Sequence, residues 1–146
     1  MALVEKFGEH LLNQQEKVDI STLGEYPYVA LYFSAMWCPQ CKFFTKKLEK
    51  LYNSANESEK QLQIILISSD ETEEDFEEYY EDHPWLAVQF DQEKNTELFK
   101  DYGIEGMPGL VLIDKKGEII TKKFKEMIMN DGNAAMKNLK DEYPVA

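Results

Sequence analysis

The chain holds two cysteines, and both lie in one segment, Trp37-Cys38-Pro39-Gln40-Cys41. The nucleophile of disulfide exchange is a thiolate, and a free thiol with a pKa of about 8.5 is mostly protonated at neutral pH. A cysteine at the start of a helix meets unpaired backbone N–H groups and the positive end of the helix dipole, and both favour negative charge. The run Tyr28-Val29-Ala30-Leu31-Tyr32-Phe33 reads as a buried strand, and a helical pattern follows Cys41. Cys38 therefore falls at such a start, with Cys41 three residues on and one turn deeper. That spacing suits a pair in which Cys38 attacks a disulfide and Cys41 then attacks the mixed disulfide. Pro39 fits the first turn, where its missing N–H is not needed. Two blander readings are half of a zinc site and a pair of inert buried thiols. The imidazoles outside the segment, His10 and His83, stand alone without ligand spacing, so no metal is expected. A Cys-Pro-x-Cys directly after Trp at a strand-to-helix junction favours redox chemistry over packing.

The elements that must position this pair are legible as periodicities. Phe44, Leu48, Leu51, Tyr52 and Ala55 form one apolar stripe, and Lys42, Lys46, Lys47, Glu49 and Lys50 occupy the rest of that helix. Leu62 to Ile67 reads as a second buried strand, and Ser68-Ser69-Asp70 follows it. Thr72 is placed as the N-cap of a helix carrying Phe76, Tyr79 and Tyr80. Pro84 to Phe90 reads as extended, with Trp85 in the core, and Leu98, Phe99 and Tyr102 mark a short helix that stops at Gly103. Pro108 to Ile113 and Ile119 to Phe124 read as a hairpin around Asp114-Lys115-Lys116-Gly117. A final helix is expected from about Asp131 to Tyr143. Leu3 to Leu23 is weakly patterned, with two short strands around a polar turn between Leu11 and Val18. The core order β-α-β-α-β-β-α predicts an α/β sandwich on a mixed sheet.

At 146 residues, the length predicts one domain, residues 1–146, that folds without disulfide staples. Hydrophobic residues at 43% and charged residues at 30% are globular values. No apolar run reaches the roughly 18 residues of a membrane helix. The opening MALVEKFGEH has no apolar stretch of signal length, and DEYPVA is no retention or lipidation signal, so a cytoplasmic, monomeric protein is expected. All 16 basic residues are Lys, against 28 acidic ones, for a net charge of −12. Such a surface repels a phosphate backbone and argues against nucleic-acid and membrane partners. The nine acidic residues between Asp70 and Asp82, and Lys115, Lys116, Lys122, Lys123 and Lys125 on the hairpin, read as solvated faces.

The segment YFSAMWCPQCKFFTKKLEKLY resembles the active-site segment of tryparedoxins and nucleoredoxins within the thioredoxin superfamily. ISSDETEEDFEEYY, PWLAVQF, YGIEGMPGLVLID and GEIIT follow that family's segments in order. The resemblance implies a thioredoxin fold: a mixed central sheet flanked by helices, with an N-terminal strand or hairpin extension. It implies a thiol-disulfide oxidoreductase that reduces protein disulfides, such as those of peroxidases, with electrons from a low-molecular-weight dithiol or a flavin reductase. No cofactor is expected, because the Cys38–Cys41 disulfide is itself the redox group. A redox-dependent adaptor that binds partners without turnover is the alternative.

The resemblance also assigns residues. It makes Met107–Pro108 a cis bond facing the dithiol, with the Met107 backbone pairing to an extended substrate segment. Trp37 offers a flat apolar contact beside Cys38, and Pro39 and Gln40 complete the substrate-binding set. Thioredoxins commonly carry a buried Asp six residues before the first Cys; here Tyr32 stands there. Asp70, at the exit of the neighbouring strand, becomes the candidate to take the Cys41 proton, with Glu71 second. The chain departs from the family at Gln40 and Lys42, where Pro and Arg are usual, and at Gly109, where Thr is usual. Met107 replaces an Ile, His83 replaces a Met, and Lys122-Lys123-Phe124-Lys125 stands where the family carries Arg. In tryparedoxins such Arg side chains help receive the glycine carboxylates of trypanothione.

Overall fold

The computed structural model describes residues 2–145. The chain begins with α1 (Ala2–Phe7), the hairpin of β1 (His10–Asn13) and β2 (Glu16–Asp19), and a 3-10 turn over Ile20–Glu25. β3 (Tyr28–Ser34), α2 (Pro39–Ala55), β4 (Leu62–Ser68), α3 (Glu73–Tyr80), β5 (Leu86–Ala87) and α4 (Gln92–Asp101) follow. The chain closes with β6 (Gly109–Ile113), β7 (Ile119–Thr121), α5 (Phe124–Asp131), a 3-10 turn over Gly132–Ala134 and α6 (Ala135–Glu142). No helix of the described residues is long and apolar enough to cross a membrane.

One mixed sheet runs through the molecule in the order β2-β1-β5-β4-β3-β6-β7. β3 pairs parallel with β4 from Tyr28↔Leu62 to Ser34↔Ser68, and antiparallel with β6 from Val29↔Ile113 to Phe33↔Gly109. The central strands alternate Tyr28, Ala30, Tyr32 on one face and Leu31, Phe33 on the other, and both faces are buried. Leu48, Leu51, Phe76, Trp85, Phe124 and Leu139 pack on the first face. Leu3, Phe7, Leu11, Leu23, Leu98 and Tyr102 pack on the second. The apolar stripe of α2 faces the sheet as its spacing predicts, and Trp85 is fully buried.

The structure differs from the sequence reading in four places. The extended segment before Phe90 contributes only a two-residue strand, β5. The strand expected up to Phe124 stops at Thr121, because Phe124 turns into the core as the first residue of α5. The helix expected from about Asp131 to Tyr143 is α6, which starts at Ala135, and a separate helix, α5, precedes it and ends at Gly132, whose φ of 59° lies in the left-handed region. α1 went unrecognised; it is a six-residue helix, held by Leu3 and Phe7 in the second core.

The end of α4 sets up the segment that returns to the dithiol. Gly103 has φ 64°, its N–H bonds Lys100 O at 3.0 Å, and Ile104 N–H bonds Phe99 O at 2.9 Å. This double bond is the Schellman arrangement, which needs a residue free to adopt positive φ. It turns the chain toward Gly106-Met107-Pro108 and the start of β6.

Candidate active site

The C-terminal ends of β3 and β4 and the start of β6 lie at one end of the sheet, as the pairings Ser34↔Ser68 and Phe33↔Gly109 require. The loop from β3 to α2 crosses that end. Cys38 is the N-cap of α2: its backbone is extended, and its Sγ accepts the Cys41 N–H at 3.2 Å. Pro39 occupies the first helical position. The sulfur thus satisfies one of the orphan donors at the helix start, where a side-chain oxygen would otherwise serve. Cys38 and Cys41 form a disulfide with Cα atoms 5.3 Å apart. Both cysteines are buried, Cys38 at 5% exposure and Cys41 at 0%, so the first is the less enclosed of the two.

Around this pair, Trp37 is 61% exposed. Pro39 and Gln40 are exposed, Met107 is half-buried and Pro108 is buried. The Met107–Pro108 bond is cis. It precedes Gly109, which pairs with Phe33 beside the exit of β3.

Asp70 is buried, whereas Glu71 is exposed. The Asp70 carboxylate accepts the Met36 N–H at 3.0 Å and the Ser68 hydroxyl at 2.6 Å. Burial pushes its carboxyl above the ordinary value, against the hydrogen bonds from Ser68 and Met36, which lower it. Its hydrogen bonds run to Met36, in the loop that carries Cys38, and to Ser68 at the end of β4, and not to either sulfur, so it holds the Met36 amide two residues before Cys38.

Sequence reasoning found Tyr32 only as a missing acid. The structure puts it in a buried hydroxyl chain beneath the first turn of α2. Tyr32 OH donates to Cys41 O at 3.1 Å and lies 2.7 Å from Thr45 Oγ1. Thr45 Oγ1 lies 2.7 Å from Cys41 O and 3.3 Å from Tyr79 OH, which lies 2.6 Å from Ser34 Oγ. Burial pushes the Tyr32 phenol far above its usual value, so it stays neutral. The members come from β3, α2 and α3, with bonded partners up to 45 positions apart, and no local pattern links them. A buried strand Tyr was the only available sign, since a buried phenol needs a partner.

The thioredoxin-like family model matches residues 26–119. The chain belongs to the thioredoxin-like family. Nucleoredoxin of Xenopus laevis is 39% identical over 125 residues, covering 85% of this chain and 30% of that protein. The chain thus spans less than a third of the nucleoredoxins it matches. Tryparedoxin of Trypanosoma brucei brucei is 38% identical over 128 residues, covering 86% of this chain and 88% of that protein. Native tryparedoxin I from Crithidia fasciculata superposes with a TM-score of 0.84 at 28% identity, covering 99% of this chain and 98% of that one. A tryparedoxin II structure complexed with glutathionylspermidine does so with a TM-score of 0.83 at 30% identity, covering 100% of both chains. The mixed seven-stranded sheet with helices on both faces is therefore a thioredoxin fold, and the β1–β2 hairpin is its N-terminal extension. In thioredoxin-like terms, the dithiol sits at the N-terminus of the first core helix and the cis proline opens the strand antiparallel to β3.

Proposed function

We propose that the chain is a thiol-disulfide oxidoreductase that reduces protein disulfides, and that residues 1–146 act as one domain. The observation that carries this reading is the Cys38–Cys41 disulfide at the N-terminus of α2, with Cys38 the less buried of the pair and next to the exposed Trp37. In the reduced form, the helix terminus favours the Cys38 thiolate. Cys38 Sγ attacks one sulfur of a substrate disulfide; that S–S bond breaks, one substrate thiolate leaves and takes up a proton, and a Cys38–substrate disulfide forms. Cys41 then gives up its proton and attacks Cys38 Sγ, and the second substrate thiolate leaves. The substrate gains two electrons and two protons, and the pair ends as its own disulfide. A low-molecular-weight dithiol or a flavin reductase restores it by the reverse exchanges.

In this reading Trp37, Pro39, Gln40 and the Met107 backbone bind the substrate segment, and Pro108 shapes that surface. Asp70 takes the Cys41 proton. Its support is burial, a raised carboxyl pKa and its place at the sheet end that carries the dithiol. The electron acceptors are protein disulfides such as those of peroxidases. A reducing compartment, the cytosol, suits a pair that must return to the dithiol. The test is turnover of an insulin disulfide with dithiothreitol as donor, beside trapping by single-cysteine variants. Cys41→Ser is expected to accumulate a stable mixed disulfide and Cys38→Ser none. Absence of turnover in the unaltered chain, or trapping by Cys38→Ser, defeats the reading.

A further inference from the structure

The outward face of α2 differs from the rest of the surface. Pro39, Phe43, Lys46, Lys47 and Lys50 are all exposed and recur at i, i+4, i+7, i+8 and i+11. The core-facing stripe of Phe44, Leu48, Leu51, the partly buried Tyr52 and Ala55 has the same spacing five positions later, which places it about 140° round the helix. The five exposed residues therefore form one ridge pointing away from the core, and it begins at the residue after Cys38. Lys42 lies on its flank.

Two properties of the ridge are unusual for this chain. The first is charge. The protein carries 28 acidic residues, yet Glu49 is the single acid on α2, beside Lys42, Lys46, Lys47 and Lys50. The one ion pair among the described residues is Lys60–Glu25, so none of these four lysines is ion-paired, and Glu49 acts on Lys46 only through its field. The second is apolarity. Phe43 is 60% exposed, close to the 61% of Trp37, and these are the two most exposed large apolar side chains described. They stand on either side of the dithiol in sequence. Lys47 Nζ lies 5.3 Å from the Phe43 ring centroid, over one face, which leaves the ring as an apolar platform edged by positive charge.

We propose that this ridge is a docking site for an acidic segment of the disulfide-bearing partner, with an apolar side chain of that segment seated on Phe43. The proposal rests on the thiol-disulfide reading above and adds a specificity to it. A net charge of −12 taken as a whole would favour basic partners. Along the outward face of α2 the lysines outnumber the single acid of that helix, Glu49, so the ridge and the whole-molecule charge predict opposite substrate orders. Acidic-apolar partners gain at the ridge, and attraction between exposed charges falls with ionic strength.

The experiment compares three peptide disulfides that differ only in the residues flanking the scissile cysteine, Glu-Phe-Glu, Gln-Phe-Gln and Lys-Phe-Lys. Each rate is divided by that for hydroxyethyl disulfide, which is too small to reach along α2. The expected order of kcat/KM is acidic, then neutral, then basic, with about fivefold or more between the extremes at low salt, shrinking at high salt. Lys46→Gln with Lys47→Gln is expected to flatten the order. Phe43→Ser is expected to lower the acidic-peptide rate about three- to tenfold relative to hydroxyethyl disulfide. Equal rates, a basic-first order, or an acidic preference that survives these variants overturns the docking site. So does a concentration-dependent dimer in sedimentation that Lys46→Gln with Lys47→Gln abolishes, since a second copy would then be the occupant. Failure to turn over hydroxyethyl disulfide sinks the underlying reading instead.

Discussion

Asp70 and His83 are both buried and titratable, and burial acts on them in opposite directions. For Asp70, a raised carboxyl pKa makes the side chain a better proton acceptor at neutral pH than an ordinary aspartate. Asp70→Asn keeps the hydrogen-bonding shape toward Met36 and Ser68 and removes that basicity. It is expected to slow release of the mixed disulfide by about 10²-fold or more, while its formation by Cys38 proceeds. Acid-quenched single-turnover traces resolve the two steps; equal slowing of both would make the residue a loop anchor only. For His83, burial among Tyr79, Tyr80 and Trp85 pulls the imidazole down to about 4. Its Nδ1 has no hydrogen-bond partner. The unfolded chain then binds the proton more readily than the fold between pH 6.5 and 4, so this contribution is complete above pH 6.5 and lost as pH falls toward 4. The loss reaches on the order of 2 kcal/mol by pH 5. His83→Met is expected to remove that part of the pH dependence, read as the difference in urea midpoints of the two proteins at pH 7 and pH 5.

Where a helix is amphipathic over several turns, its sequence announces it. α2 carries five apolar residues on one stripe, and α3 has Thr72 as its cap, with Oγ1 accepting the Asp75 N–H at 3.1 Å. α1 is six residues long, and an isolated helix that short is marginal without tertiary packing. α5 was hidden because Lys122 and Lys123 precede it, no side chain caps it, and Phe124 and Ile128 also fit a strand ending. In the site, the cysteines, Trp37 and Pro108 belong to short motifs and were legible; the Tyr32–Thr45–Tyr79–Ser34 chain assembles only when three elements meet. That chain predicts coupling between α3 and the dithiol helix. Tyr79→Phe leaves Ser34 Oγ without its 2.6 Å partner and is expected to cost about 1–3 kcal/mol. Hydrogen exchange of the Cys41 and Lys42 amides should quicken beyond that of α4, which takes no part. Uniform quickening would mean only global destabilisation.

Across the whole molecule, the sheet ends in two strands that pair on one side only, β2 and β7. β2 reads Glu16-Lys17-Val18-Asp19, an edge already studded with charge. β7 is three residues long and presents Ile119 and Ile120 to solvent. A free apolar edge is a template onto which a strand of another chain can add. Lys115 and Lys116 precede it across the turn, and Lys122 and Lys123 follow it, so any incoming copy must bring like charges together at both ends. This arrangement predicts that the hairpin lysines oppose edge-to-edge self-assembly, an effect separate from solubility in general. Replacing Lys115, Lys116 and Lys123 by Gln would take the net charge from −12 to −15 and still, on this view, make concentrated solutions scatter light and bind thioflavin, although a net charge of greater magnitude ordinarily protects. A variant that stays clear would return the role to net charge. Acetylation of the same lysines removes the same charges as the Gln replacements, so an acetylated chain is expected to scatter light in the same assay.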